Sequence, residues 1–490
     1  MNKAARIVYT ALFLGICCTP LAMMPFMSNS EQIEKKELAE RPSIIVDGKL
    51  NTGFSEQFES WFNDRLPLRS ELLSAANLIK GEILGSPSSN VISGSDGWLF
   101  YENTKSDYMD TDPMSIAEVN SAAVTISLIE ENVKSKGGNF VFVVMPNKAS
   151  IYGEYMPSCY QRARVTNLDR LTSKLSEIGV NQLDMKKLLT DNKDLGLYHK
   201  RDTHWNYMGA LLGYDAIMNS LGREHKAYAP NYTLEKDWRG DLDKLLYPSG
   251  GFMDYQYRFD TVFDEFRFTT PSGVTDTQAQ LENFMSDKED GDIRIVTRKN
   301  ERAKSGRLYM VRDSFGRALL PYMIDNYTQA TFVRTDCPEL TTVSKGTDMV
   351  YEIVERNLRN LTNTAPFMYA PEREGIKADG TLDRSEIEAH VDYEGYGTRI
   401  YGIMPGNNSV TADGRVYVRL TKNGEEHTFE AFPILEKRLL GKEGSRESGF
   451  SLILDPSLAL EGEYSVSLIS QGRLADNITQ VKFEKGEDQS

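Results

Sequence analysis

Three side chains that could act together as acid, base and nucleophile occur in this chain in the order Asp202, His204, Ser314. Ser314 closes the run Leu308-Tyr309-Met310-Val311-Arg312-Asp313-Ser314, whose apolar first half predicts a short strand. Phe315-Gly316 and a predicted helix follow it. A serine so placed stands at a strand's tip, where a helix N-terminus offers backbone N–H groups to an oxyanion. A hydroxyl is a weak nucleophile until a neighbouring base takes its proton. The segment Arg201-Asp202-Thr203-His204-Trp205-Asn206 supplies that base, with Asp202 to fix the imidazole tautomer and stabilise the imidazolium. No G-x-S-x-G elbow surrounds the serine, which disfavours an ordinary α/β-hydrolase.

Plainer readings compete with this one. An Asp-x-His pair is often only a satisfied surface pair, and Ser314 or Asp313 would also serve as a helix cap. His199 lies three residues before Asp202, so His199, Asp202 and His204 form an alternative set of metal ligands. No second His/Asp/Glu cluster completes such a site in a chain with five histidines, so no metal is expected.

The elements needed to hold these groups are legible from about residue 115. Ile116 to Lys136 reads as a helix stopped by Gly137-Gly138, and Phe140 to Met145 as a strand buried on both faces. Leu168–Ile178 is helical, Asn181–Asp184 a short strand, and Tyr207–Leu221 a helix opened by Asn206. Residues 230–306 lose this rhythm and read as an elaboration, a possible substrate wall. It resumes with strand Leu308–Val311, helix Arg317–Asn326, strand Thr331–Arg334 and helix Asp348–Leu361. Alternation of this kind predicts a doubly wound parallel sheet, with active groups at the carboxyl ends of its strands. Asn147, Lys148 and Ser314 all fall just past such ends.

The remainder sets the boundaries. Lys3 and Arg6 precede an apolar stretch to about Met27, which predicts a signal anchor or signal peptide over 1–28. That places the chain at the cell membrane by a single pass with its bulk extracytoplasmic, or secreted if the segment is cleaved. Residues 29–84 read as a stalk and a helix docking through Phe54, Phe58, Trp61 and Phe62; 85–365 is the α/β domain. Val91–Tyr101 reads as two short strands around a Ser-Asp-Gly turn. Past a linker near 370–375, short alternating strands over 375–490 predict an all-β sandwich. In 490 residues, 40% hydrophobic and 26% charged content is that of a folded protein, and a formal charge of −15 argues against nucleic acid. Cys159 and Cys337 read as two reduced residues.

Several short motifs then combine: Trp61-Phe62-Asn63-Asp64-Arg65, Asp96-Gly97-Trp98-Leu99-Phe100, Pro146-Asn147-Lys148, Asp202-Thr203-His204-Trp205 and Asp313-Ser314-Phe315. In consistent order, over about residues 50–362, they resemble the SGNH-type polysaccharide O-acetyltransferases of the alginate AlgJ/AlgX kind, the DHHW group. The resemblance implies an SGNH-hydrolase-like fold with permuted motif order. It also implies Ser314 as nucleophile, His204 as base and Asp202 as its orienter, and an acetyl group carried on the serine to a polysaccharide hydroxyl. A membrane-bound O-acyltransferase partner, or a small acyl donor, would supply the acetyl group, with no cofactor of the chain's own. Thr203 departs from the group's second histidine and Arg312 from the glycine of Gly-Asp-Ser. Oxyanion and substrate-binding candidates are the Ser314 N–H, Asn147, Lys148 and Arg312. Tyr101, Trp98 and Trp205 are candidates for stacking on sugars, although two of the three fit the core as well. An acetyl esterase of the same fold and a non-catalytic polysaccharide-binding scaffold are the alternatives.

Overall fold

The computed structural model describes residues 3–24, 39–46, 48–84, 90–227, 231–259, 266–270, 273–275, 293–298, 306–363, 365–385, 387–404, 414–434 and 448–483. Most of the expected stalk and the acidic stretch at 287–292 lie outside them. At the centre, five strands run parallel, in the spatial order Gln329–Val333, Arg307–Val311, Thr347–Val354, Phe140–Met145, Gln182–Leu183. Every residue of Phe140–Met145 is buried, as a strand covered on both faces requires. Its alternate side chains feed two cores: Val141, Val143 and Met145 enter one, Phe140, Phe142 and Val144 the other. Helices Met185–Asp191 and Tyr207–Ser220 cover the first face; Ile116–Ser135 and Asn167–Glu177 cover the second. The sheet is doubly wound.

Two segments differ from the sequence reading. The expected helix at Asp348–Leu361 is a fully buried strand, Thr347–Val354, followed by a 3-10 helix, Glu355–Thr362. Val350, Tyr351, Ile353 and Val354 favour the pleated, enclosed position between two parallel neighbours over any helical pattern. The elaboration is partly sheet: Ile293–Arg298 pairs antiparallel with Gln329–Val333, and Phe266–Thr270 and Gly273–Thr275 extend that edge. A separate hairpin, Tyr232–Trp238 with Asp254–Phe259, flanks the histidine loop.

The N-terminal segment is a helix, Lys3–Met23. Among the described residues no helix is long and apolar enough to cross a membrane, which overturns the expected single-pass anchoring and the localisation built on it. Lys3 and Arg6 take the first turns, and Thr10, Thr19 and Pro20 interrupt the rest. The expected docking helix, Phe54–Arg65, buries none of its side chains. Its successor, Arg69–Leu84, docks instead, with the Asn77 amide donating to the Leu246 carbonyl at 2.8 Å.

Beyond residue 380, eight strands form one continuous sheet folded over its own core. The expected two-sheet sandwich is joined by a single strand, Glu425–Ile434, which pairs with Val416–Lys422 up to Ala431 and with Ser448–Leu454 from Phe432 onward. The expected linker is pinned: Ala370 N–H donates to Ile453, and Arg373 bridges Glu131 and Glu430. Cys159 and Cys337 are both free thiols.

Candidate active site

Residues 199–204 form a tight loop closed at its base by the Tyr198–Trp205 bridge and by Asn206 N–H donating to Leu197 O at 2.9 Å. Asn206 then caps the helix Tyr207–Ser220 through bonds from Met208 N–H and Gly209 N–H. Inside the loop sits the Lys148 ammonium. It donates to the carbonyls of His199, Lys200 and Asp202 at 3.1, 3.0 and 2.6 Å, a full use of its three donors. From outside, Gly240 lies so close that a Cβ there would meet Arg201 O at 2.1 Å and Asp202 N at 2.9 Å. The loop is thus clamped from both sides.

The clamp aims two side chains. His204 Nδ1–H donates to Asp202 Oδ1 at 2.7 Å, leaving Nε2 to accept from the Ser314 hydroxyl at 2.9 Å. Asp202 is buried and accepts four hydrogen bonds, the others coming from His204 N–H, Trp238 Nε1–H and Asp241 N–H. Burial alone would raise its pKa, but the His204 charge and these bonds hold it well below the usual carboxylate range. Burial likewise opposes charging of His204; the Asp202 charge and bond, then Asp241, outweigh it and raise the imidazole above its ordinary value. Asp241 lies 3.6 Å from His204 Nδ1, accepts from Thr203 N–H and Oγ1–H, and is pushed up to about 6 by burial and the Asp202 charge.

Ser314 opens the 3-10 helix Phe315–Leu319 with ordinary backbone angles (φ −68, ψ −25), so no strained elbow is used. Asp313 fixes it, accepting from Phe315 N–H at 2.8 Å and from Val354 N–H, on the neighbouring strand, at 2.7 Å. Beneath, Glu352 accepts from Asp313 N–H; burial and the Asp313 charge raise its pKa well above the ordinary carboxylate range. Trp205 Nε1–H donates to Phe315 O at 3.0 Å and joins the two halves of the site directly. The Ser314 N–H has no hydrogen-bond partner among the described residues.

A nucleophile bonded to a base that is itself bonded to a buried carboxylate is the arrangement acyl transfer uses. Residues 91–291 match the family model described as "SGNH hydrolase-like domain, acetyltransferase AlgX". That stretch is similar to the AlgX acetyltransferase family. The resemblance read from the short motifs therefore holds, with Ser314 lying beyond the matched residues. A curated relative, "Probable alginate O-acetylase AlgJ" of Pseudomonas putida, is 21% identical over 256 residues. The match takes in 50% of this chain and 62% of that relative's length. Among solved structures, Bacillus cereus PatB1 is similar at TM-score 0.44 and 19% identity, covering 55% of this chain and 96% of its own. The O-acetyltransferase domain of Pseudomonas putida AlgJ is similar at TM-score 0.35 and 15% identity, covering 55% and 92%.

Within this AlgX-like stretch and around it, several candidates point elsewhere. Lys148 is spent on the loop, so it has no donor left for an oxyanion. Asn147 gives its backbone N–H to Glu355 and its amide to Asp107. Trp98 and Trp205 are core residues: Trp98 stacks on Tyr152 and Tyr155 at 4.6 and 4.7 Å, and Trp205 packs on Phe315. Tyr101 packs beside Leu242 and Leu246. Arg312 is buried, donating to Asp313 O at 3.3 Å. The metal alternative is not assembled as envisaged, because His199 donates from Nδ1 to Tyr255 O, accepts at Nε2 from Gln256 and stacks on Trp238. Asp241, rather than His199, joins Asp202 and His204.

The sequence reading missed Asp241, Trp238 and Glu352. The first two belong to the elaboration, where no periodicity marked them. The last was assigned to a helix. Read as a strand, Thr347–Val354 would have placed Glu352 against Asp313, the residue before Ser314.

Proposed function

We propose that the protein is a serine-dependent O-acetyltransferase that carries an acetyl group on Ser314 and delivers it to hydroxyls of a polysaccharide. The observation that carries this reading is the unbroken hydrogen-bond chain Asp202–His204–Ser314, whose first two members lie within the stretch similar to the AlgX acetyltransferase family. In the first half-reaction Ser314 Oγ attacks the acyl carbonyl carbon and its proton passes to His204 Nε2. The tetrahedral adduct collapses, and the imidazolium protonates the departing oxygen. In the second, His204 takes the proton of a sugar hydroxyl, which attacks the acyl-serine and restores Ser314–OH. Asp202 holds the tautomer and the imidazolium throughout. A partner acyltransferase or a small acyl ester supplies the acetyl group, and the chain's own residues perform both steps without a cofactor.

Intact mass after incubation with an activated acetyl ester should show one acetyl adduct, lost in Ser314→Ala. Label should then pass to an oligosaccharide acceptor. Ser314→Ala should cut turnover by about a thousandfold or more. Full activity in that variant refutes the proposal. Adduct formation followed only by release of free acetate would make the protein an esterase, and glycan binding with no adduct a scaffold.

A further inference from the structure

The candidate site has a nucleophile and a base, but the donors expected to complete its oxyanion hole are occupied elsewhere. The charge around it also opposes an oxyanion. Asp202 and Asp241 stand behind His204, and Asp313 directly precedes the nucleophile. A negative oxygen forming among these carboxylates needs a compensating cation.

Arg356 meets that need by position. It lies two residues beyond Val354, whose N–H is held by Asp313, so its backbone is tied to the residue before the nucleophile. The intervening Glu355 is buried and fixed by Asn147 N–H and Ser150 Oγ–H, which anchors this strand end. The Arg356 guanidinium lies over the ring of Phe315, 5.6 Å from its centroid, and the His204 ring contacts the same Phe315 at 5.0 Å. Its charge reaches His204, where it opposes the pull of the two aspartates. Three other cations of this region are engaged elsewhere: Lys148 with the loop, Arg201 with Asp243 and Arg312 with Asp313 O. Arg356 is half-buried, and among the described residues it makes no hydrogen bond and no ion pair. A guanidinium keeps its charge across the working pH range and presents several donors in a fixed fork.

We propose that Arg356 is the cationic half of the oxyanion hole, donating to the oxygen of the tetrahedral adduct while the Ser314 N–H donates from the backbone. This rests on the acyl-serine reading above. When Ser314 Oγ bonds to the acyl carbon, the carbonyl π pair moves onto oxygen and the serine proton onto His204. Arg356 stabilises that oxygen until the pair returns and the leaving oxygen departs with the proton. Arg356 would thus be a catalytic residue that acts through its charge and its N–H donors, with no proton transferred.

The test uses the full chain with p-nitrophenyl acetate, a small neutral ester that offers the arginine nothing to bind except the developing oxyanion. Arg356→Met should lower kcat by about a hundred- to a thousandfold with little change in KM. Arg356→Lys should recover part of the loss. Removing the positive charge should also move the acid limb of the pH profile to higher pH, because His204 then holds its proton more tightly; a merely structural role would not do this. The melting transition should stay in place, since no hydrogen bond is lost. Should Arg356→Met fail to fold, Arg356→Gln gives the same comparison. An unchanged kcat on this ester overturns the inference. So does an effect confined to KM for a polysaccharide acceptor, which would make Arg356 a substrate-binding group. Ser314→Ala separates the two levels. If it is inert while Arg356→Met is fully active, only the arginine's role falls; if it is fully active, the acyl-serine reading falls first.

Discussion

At the scale of single residues, the site is governed by how protons are held. His204 must be neutral to accept the Ser314 proton, yet Asp202 and Asp241 raise its pKa above the ordinary imidazole value. The rate should therefore fall, as pH drops, already above the ordinary value of about 6.5. The stability sign is opposite: the His204–Asp202 attraction is fully present below the unfolded imidazole pKa and is lost as pH rises through the raised folded value. Asp241→Asn tests the cause. It removes one charge while an amide can still accept from Thr203 N–H, so the acid limb of kcat/KM should move to lower pH; an unmoved limb would assign the shift to Asp202 alone. Lys148 is the other residue on which the geometry depends. Burial lowers its pKa to about 8, partly opposed by Asp202, Asp241 and Asp254. Lys148→Met would leave three loop carbonyls without their donor and should cost ~3–5 kcal/mol, read from the denaturant midpoint.

Between elements, close approach does the positioning. Gly240 has an ordinary φ of −67 and is needed only because a Cβ would press on the backbone of Arg201 and Asp202. Gly240→Ala should destabilise by ~1–3 kcal/mol through overpacking. It should cost more in activity than in stability, because the displaced group orients His204, and a shift of about 1 Å is worth about a hundredfold. Wild-type kcat in this variant would show that the loop yields without moving Asp202. The element scale also shows what the sequence made legible. Phe140–Met145, Tyr207–Ser220 and the helix cap at Asn206 were readable, because an unbroken apolar run and a strong capping residue act locally. Thr347–Val354 was not. Its Asp348 and Glu352 look solvent-facing, but Asp348 is held by Arg223 and Tyr327, and Glu352 accepts from Asp313 N–H. Only tertiary partners make such a strand admissible, and no pattern within the strand reports them.

Over the whole molecule, the parallel sheet that carries Ser314 and the C-terminal sheet share material. Phe432 comes from the second and is buried in the core beneath the helix Ile116–Ser135. Arg373 and Arg415 converge on the buried Glu430, and Arg373 continues to Glu131 of that helix. Phe432→Ala should cost about 3–5 kcal/mol and unfold the parallel sheet at lower denaturant; an effect confined to the C-terminal sheet would show that the contact does not couple the two. The serine, histidine and aspartate were legible because each is chemically distinctive. The residues that hold them were hidden, because a lysine inside a loop and an indole donating to a carbonyl have no sequence pattern. That indole, Trp205, has a practical consequence. It spans from the histidine's neighbour to the carbonyl after the nucleophile, so the gap between serine and histidine is set by a strut independent of the reactive bond. A Ser314→Ala protein should hold its empty jaws at the same distance and, on the acyl-transfer function proposed above, serve as bait for capturing an unreacted acceptor.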